Sequence, residues 1–331
     1  MKALVYTGPN ALDFRDEADP MPADGEVLVR VEAVGICGSD MHAYHGHDSR
    51  RPAPLILGHE AAGRIASGPN AGRRVAVNPL VTCGSCEFCA GGRAHLCRSR
   101  QIISMPPRPG AFAEYLRIPE ENLVAVPDGL GTVQAALAEP VAVAYHAVTL
   151  VARLTARPIT AARCVVLGGG AIGLAAALVL AMLGAGEIRI AETNPARRRT
   201  CGEAGPFRCY EPGSPGEPEE STVDLVVDAV GAVGTRAAAS RMVKPGGVIV
   251  HVGLLPGTEG LDVRKVTLQE ILFTGTYCYT PLDFIETLQA LASGRLGDLR
   301  WLEERPLASG GEAFADLDAG RTSAAKIILR P

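Results

Sequence analysis

The stretch Arg163-Cys-Val-Val-Leu-Gly-Gly-Gly-Ala-Ile-Gly-Leu174 decides the fold of this chain. Cys164 to Leu167 is a short apolar run that reads as a buried strand, and Ala171 to Leu183 reads as a helix directly behind it. Between them Gly168, Gly170 and Gly173 have G-x-G-x-x-G spacing. The first glycine permits a tight turn, the second lets the backbone approach a pyrophosphate, and the third lets helix and sheet pack closely. The amides of the helix start, at Ala171 and Ile172, then face an anion. Such a turn is weak evidence alone. Here Ile188-Arg-Ile190 reads as a second strand, and Glu192 ends it about twenty residues after the glycines, which completes the pattern of a dinucleotide site. Arg197, in the run Arg197 to Arg199 at the next helix start, is a solvated surface residue or a phosphate contact.

Outward from this unit the alternation continues. Asp224-Leu-Val-Val-Asp228 and Val248-Ile-Val-His-Val252 are further short apolar runs, separated by a helical segment ending at Lys244-Pro-Gly-Gly247. Strands alternating with helices imply a doubly wound parallel sheet, so the fold class is α/β. Val133 to Leu154 reads as one helix with Pro140 as its dissonant residue, and Leu282 to Leu296 as another before a last strand, Lys326 to Leu329. The part before about residue 130 is different. Val27, Val29 and Val31 alternate with Leu28 and Arg30, and Arg74-Val-Ala-Val77 is another short run bounded by turn residues. These features suggest an irregular, barrel-like β domain.

A length of 331 residues suggests two domains, and 47% hydrophobic with 21% charged residues is a globular composition. The net charge of −4 argues against a nucleic-acid partner. No signal peptide is read at the N-terminus, and the longest apolar run is too short to span a bilayer, so a cytoplasmic protein with no membrane partner is expected. A reducing compartment makes clustered cysteines metal ligands sooner than disulfides. Cys83, Cys86, Cys89 and Cys97 read C-x2-C-x2-C-x7-C, which can close a tetrahedral zinc site. An iron–sulfur cluster is the rival, and zinc is preferred because no other redox signature accompanies it. Cys37 and His59-Glu60 supply one soft, one borderline and one hard ligand from separate strands, as in a catalytic zinc site with an open position.

The contexts Gly35-Ile-Cys-Gly-Ser-Asp-Met-His42 and Gly58-His-Glu60, with the four-cysteine lobe and the Gly168 turn, closely resemble the zinc-containing medium-chain dehydrogenase/reductase superfamily. The nearest branch looks like the sorbitol, threonine and galactitol-phosphate dehydrogenases. The resemblance covers essentially the whole chain. It implies a GroES-like catalytic domain from residues 1–145 and 280–331 and a Rossmann domain from 146–279. It further implies that Cys37 and His59 hold the catalytic zinc, with Glu60 and Glu139 as carboxylates that ligate it or stand beside its water. Ser39 and His42 match the proton relay, Glu192 the acid on the adenosine ribose, and Tyr277 a substrate-contacting tyrosine; Tyr44 is a candidate for the pocket lining. Three departures stand out: Gly72-Arg-Arg-Val75 replaces Gly-Asp-Arg-Val, Thr276 stands where the sorbitol enzymes have arginine, and a peripheral helix is replaced by the loop Glu211 to Ser221.

The implied chemistry is oxidation of a small secondary alcohol or polyol, or its phosphate, with hydride passing to NAD in preference to NADP. Two zinc ions per chain and a homodimer or homotetramer, paired through the edge strand Ile271 to Thr276, complete the expectation. The alternatives are an NADPH-linked carbonyl reductase and, in another class, a zinc-stabilised nucleotide-binding protein without turnover.

Overall fold

The computed structural model describes residues 1–331. Strand β1 (Glu26–Gly35) leads into helix α1 (Gly38–Tyr44), and β2 (Glu60–Ile65), β3 (Arg74–Val77), β4 (Tyr115–Pro119) and β5 (Leu123–Ala125) follow. Helix α2 (Ala138–Ala152) precedes β6 (Arg163–Leu167), α3 (Ala171–Met182), β7 (Glu187–Ala191), α4 (Pro195–Ala204) and β8 (Arg208–Tyr210). Next come β9 (Val223–Asp228), α5 (Val233–Met242), β10 (Val243–His251) and β11 (Leu272–Gly275). The chain continues through α6 (Pro281–Ala292), β12 (Leu302–Pro306), α7 (Gly310–Asp318) and β13 (Lys326–Arg330). No helix is long and apolar enough to cross a membrane.

Six parallel strands form one sheet in the order β8-β7-β6-β9-β10-β11. The order reverses between β6 and β9, which places a crevice at their carboxyl ends, where Gly168 begins. Both faces are covered, so the strands read as unbroken apolar runs. Cys164 and Val166 join the core beneath α2, α3 and α6, whereas Val165 and Leu167 join the one beneath α5.

A seven-stranded sheet runs β5-β3-β2-β1-β13-β12, with β4 also paired to β1. Val29 and Val31 are buried and Arg30 is exposed, the alternation of a half-buried strand. Strand β13 pairs with β1 and with β12, so late residues complete the barrel begun by early ones.

Several elements differ from expectation. The single helix expected over Val133–Leu154 is two, Thr132–Ala135 and α2. Pro140 is the cause: it lacks the N–H for the Ala136 carbonyl and its ring would clash with that carbonyl, so it is tolerated only in a first turn. Helix α5 ends at Met242, and Lys244-Pro-Gly-Gly247 bulges from β10, where Val223 pairs with Val243 but Leu225 with Val248. Helix α6 stops at Ala292, and α7, β8 and β12 had no strong sequence signal. Residues Glu211 to Ser221 carry no helix or strand. Position 145 lies inside α2, which packs on α3 and α6 and touches β2, while Thr280 is the N-cap of α6.

Candidate active site

Register brings the three candidate ligands together. Gly35, at the end of β1, pairs with Glu60, at the start of β2, so Cys37 just beyond β1 meets His59 just before β2. The ligand atoms of Cys37, His59 and Glu60 lie within 4.8 Å of one another. Glu60 is fully buried, and Lys326 Nζ donates to its Oε1 and Oε2 at 2.6 and 2.7 Å and to the Ile36 carbonyl at 2.8 Å. A Cβ at Gly35 would collide with Glu60 Oε2, so glycine there makes the carboxylate's space.

Asp40 steadies the other two. Its Oδ2 accepts from the Cys37 N–H at 3.0 Å, its Oδ1 from the Gly58 N–H at 3.3 Å, and His59 Nδ1 stands 3.5 Å away. Burial disfavours charge on His59, but Asp40 and Cys37 outweigh it and raise the imidazole well above its ordinary range. A carboxylate behind a ligating imidazole fixes its ring and tautomer. The donor set of a thiol, an imidazole and a carboxylate, gathered within 4.8 Å, fits a metal ion.

Ser39 is in the first turn of α1. His42 is three residues on, and such pairs share a helix face. Buried Arg51 donates to the Ser39 carbonyl at 3.3 Å, to Ser39 Oγ at 3.4 Å, to the Ser104 carbonyl at 3.0 Å and to Asp48 at 2.7 Å. Partial burial lowers the His42 pKa although Asp48 opposes this, so the ring is neutral at pH 7.

Glu139 stands outside the group of three, in the first turn of α2. Tyr279 Oη donates to its Oε1 at 3.0 Å, and burial pushes the carboxyl up to about 7. The charges of Glu139, Arg100 and Cys37 act on Cys278, whose φ of 49° is in the left-handed region. Such strain in a non-glycine residue persists only where the surroundings enforce it. Tyr277 lies under the Arg100 guanidinium, 4.7 Å from the ring centre. Tyr44 is not gathered with these residues: its ring packs on Phe314 at 5.4 Å in the barrel core, which leaves little of it for a substrate.

In the four-cysteine lobe, Cys83–Cys89, Cys86–Cys89 and Cys83–Cys97 sulfur separations are 3.9, 3.6 and 3.5 Å. Four thiolates about 2.3 Å from a tetrahedral zinc stand about 3.8 Å apart, so the lobe fits the ion. Backbone N–H groups of Ser85 and Cys86 bring the Cys83 thiol down to about 6, while desolvation pushes Cys89 to about 11. Full ionisation therefore needs a cation. His95 of this lobe meets His146 edge-on at 5.1 Å, and His146 Nδ1 is 2.9 Å from Asp283, so these histidines dock the lobe on α2 and α6.

At the dinucleotide turn Gly168 has φ +97°, and a Cβ at Gly173 would strike the Gly168 carbonyl. Gly170 is the N-cap of α3 with no side-chain cap, which leaves the amides at Ala171, Ile172 and Gly173 for a phosphate. Glu192 Oε2 accepts from the Gly169 N–H at 2.8 Å and Oε1 from the Asn194 N–H at 2.7 Å, with Arg197 3.8 Å away.

Four residues of this centre escaped the sequence reading. Asp40 carries the signal of an acid three residues past a helix N-cap, and Arg51 sits beside Asp48 in a polar loop. Lys326 and Tyr279 have partners 266 and 140 residues away and no local signal.

Residues 23–128 match the family model of the alcohol dehydrogenase GroES-like domain, and residues 171–293 that of the zinc-binding dehydrogenases. The chain is 30% identical over 328 residues to L-galactonate-5-dehydrogenase of Escherichia coli K12, covering 95% of this chain and 94% of that protein. To sorbitol dehydrogenase of Bacillus subtilis it is 34% identical over 313 residues, covering 89% and 86%. The crystal structure of L-idonate 5-dehydrogenase from Escherichia coli K-12 aligns with a TM-score of 0.89 at 25% identity, over 100% of this chain and 98% of that one.

Proposed function

Because the chain belongs to the zinc-binding alcohol dehydrogenases with a GroES-like domain, we propose that it oxidises a secondary hydroxyl of a small polyol to a ketone, with NAD as hydride acceptor. The observation that carries this reading is the gathering of Cys37, His59 and Glu60 within 4.8 Å, with Glu139 nearby. In this reading residues 1–145 and 280–331 form the catalytic lobe and 146–279 the nucleotide lobe, which the separate seven- and six-stranded sheets support.

Cys37, His59 and Glu60 would hold one zinc ion and the four-cysteine lobe a second. Bound zinc acidifies a substrate hydroxyl, and the nicotinamide takes the hydride. Glu139, with Oε1 engaged by Tyr279, offers its other oxygen to a neighbouring polyol hydroxyl. Ser39 Oγ takes the hydroxyl proton and neutral His42 carries it toward solvent, while Arg51 fixes the serine's orientation. The start of α3 holds the pyrophosphate. Glu192 accepts from the adenosine ribose and repels a 2′-phosphate, with Arg197 the group that could soften that preference. All nine cysteines are free thiols, which suits the cytoplasm, and the chain pairs with a second copy through β11.

Metal analysis of the purified protein and NADH formation across polyols, 2,3-diols and simple alcohols test the reading. Ethanol or benzyl alcohol exceeding every polyol would refute the substrate class. Equal efficiency with NADP would refute the cofactor.

A further inference from the structure

Arg236 is buried in the first turn of α5, and its guanidinium is spent on main-chain carbonyls. Its Nε donates to the Glu259 carbonyl at 2.6 Å, its Nη1 to the Gly231 carbonyl at 2.6 Å and its Nη2 to the Gly257 carbonyl at 2.9 Å. Gly231 belongs to the loop after β9, whereas Gly257 and Glu259 belong to the loop after β10. One rigid fork thus ties two loops together, which a lysine ammonium cannot do in the same way. A buried cation is costly unless its donors are satisfied, and these are satisfied only while both loops keep their places. Gly231 is held from its other end as well. Asp228 Oδ1 accepts from the Val230 and Gly231 N–H groups at 3.1 and 2.8 Å, and Thr235 Oγ1 donates to Asp228 Oδ2 at 3.0 Å. Both loops abut the dinucleotide turn. A Cβ at Gly253 would strike the Val230 backbone, one at Gly231 the Gly253 carbonyl, and one at Gly168 the Val230 side chain. The turns at the carboxyl ends of β6, β9 and β10 are therefore in mutual contact. Glu192 follows β7, on one side of β6, and β9 and β10 lie on the other. A dinucleotide with adenosine at Glu192 and pyrophosphate at the start of α3 sends its other half over β9 and β10.

We propose that Arg236 is a positioning residue for the nicotinamide half of the cofactor: it locks the loops after β9 and β10 into the floor beneath that half, without touching it. This rests on the nucleotide reading above and goes beyond it. The adenosine half depends on Glu192 and the start of α3, neither of which Arg236 contacts. Loss of the guanidinium frees the Gly257 and Glu259 carbonyls, lets the loop with the exposed Leu254 and Leu255 leave the Gly231 turn, and disorders one half of the site only.

Calorimetric titration of the zinc-loaded protein with NADH and with ADP-ribose tests this, since ADP-ribose shares the adenosine and pyrophosphate but lacks the nicotinamide. Arg236→Leu should raise the Kd for NADH by about tenfold, as losing charge-assisted contacts does, and leave that for ADP-ribose within about twofold. Zinc content should not change. In steady-state assays the KM for NAD should rise while the KM for the polyol stays where it was, a split that a general loss of stability would not produce. Arg236→Lys keeps the charge without the fork and should recover part of the NADH affinity but not all; as the milder change it keeps the test open if Arg236→Leu fails to fold. Equal weakening of both ligands, weakening of neither, or full recovery by lysine overturns the proposal and leaves the nucleotide reading standing. If the wild-type protein binds neither ligand, the nucleotide reading falls and the proposal falls with it.

Discussion

Gly35 and Glu60 face each other across paired strands, and a methyl group at Gly35 would occupy the place of Glu60 Oε2. Gly35→Ala should therefore push Glu60 off Lys326 and lower zinc occupancy from two ions toward one per chain by metal analysis. Unfolding by urea should show a loss of up to about 3–5 kcal/mol, the usual effect of breaking a buried ion pair. Gly38→Ala, whose Cβ meets nothing within 4 Å, should retain both metal and stability. The relay makes a second test. Ser39→Ala should lower kcat by roughly 10²–10⁴-fold with zinc and NAD still bound. His42→Ala should cost less, and added imidazole should restore part of the rate. Partial burial holds His42 below its ordinary range, so the acid limb of kcat should fall below pH about 6.5 and shift in this variant. Normal kcat for Ser39→Ala at saturating substrate would remove that hydroxyl from the path. The cysteines, His59 and the glycine turn were legible because each motif is short and contiguous. Asp40 lay in the quoted stretch, but its role depends on the backbone curling back to Cys37.

At the scale of elements, local rules worked where one segment contains its own reason and failed where two segments decide together. The strand–turn–helix at Gly168 is self-contained. The break before α2 required weighing Pro140 against a run of alanines that favours helix throughout, and β12 exists because β13, itself legible as an apolar run, offers it an edge. The four-cysteine lobe is another self-contained element. Three of its sulfur pairs lie 3.5–3.9 Å apart, and a closed zinc site contributes directly to folding. Cys97→Ser should release that ion, lower Tm and leave the metal at Cys37 and His59 in place. Iron instead of zinc in this lobe, or an unchanged Tm, would refute the assignment.

For the whole molecule, the open edge at β11 is the feature that invites a partner. Leu272 is 40% exposed, and Val263 and Leu268 just before the strand are each 67% exposed, an apolar border on an unpaired edge. We expect a twofold dimer joined through β11, and Leu272→Lys should shift it toward monomer in sedimentation. A wild-type monomer at micromolar concentration would exclude this interface. The pairing of Glu60 with Lys326 has a consequence in time. The four cysteines emerge from the ribosome within one short stretch and can capture their ion while synthesis continues. The cation that neutralises Glu60 is made 266 residues after it, on the strand that completes the barrel. The site at Cys37, His59 and Glu60 is thus completed only with the last strand, after the four-cysteine lobe is whole.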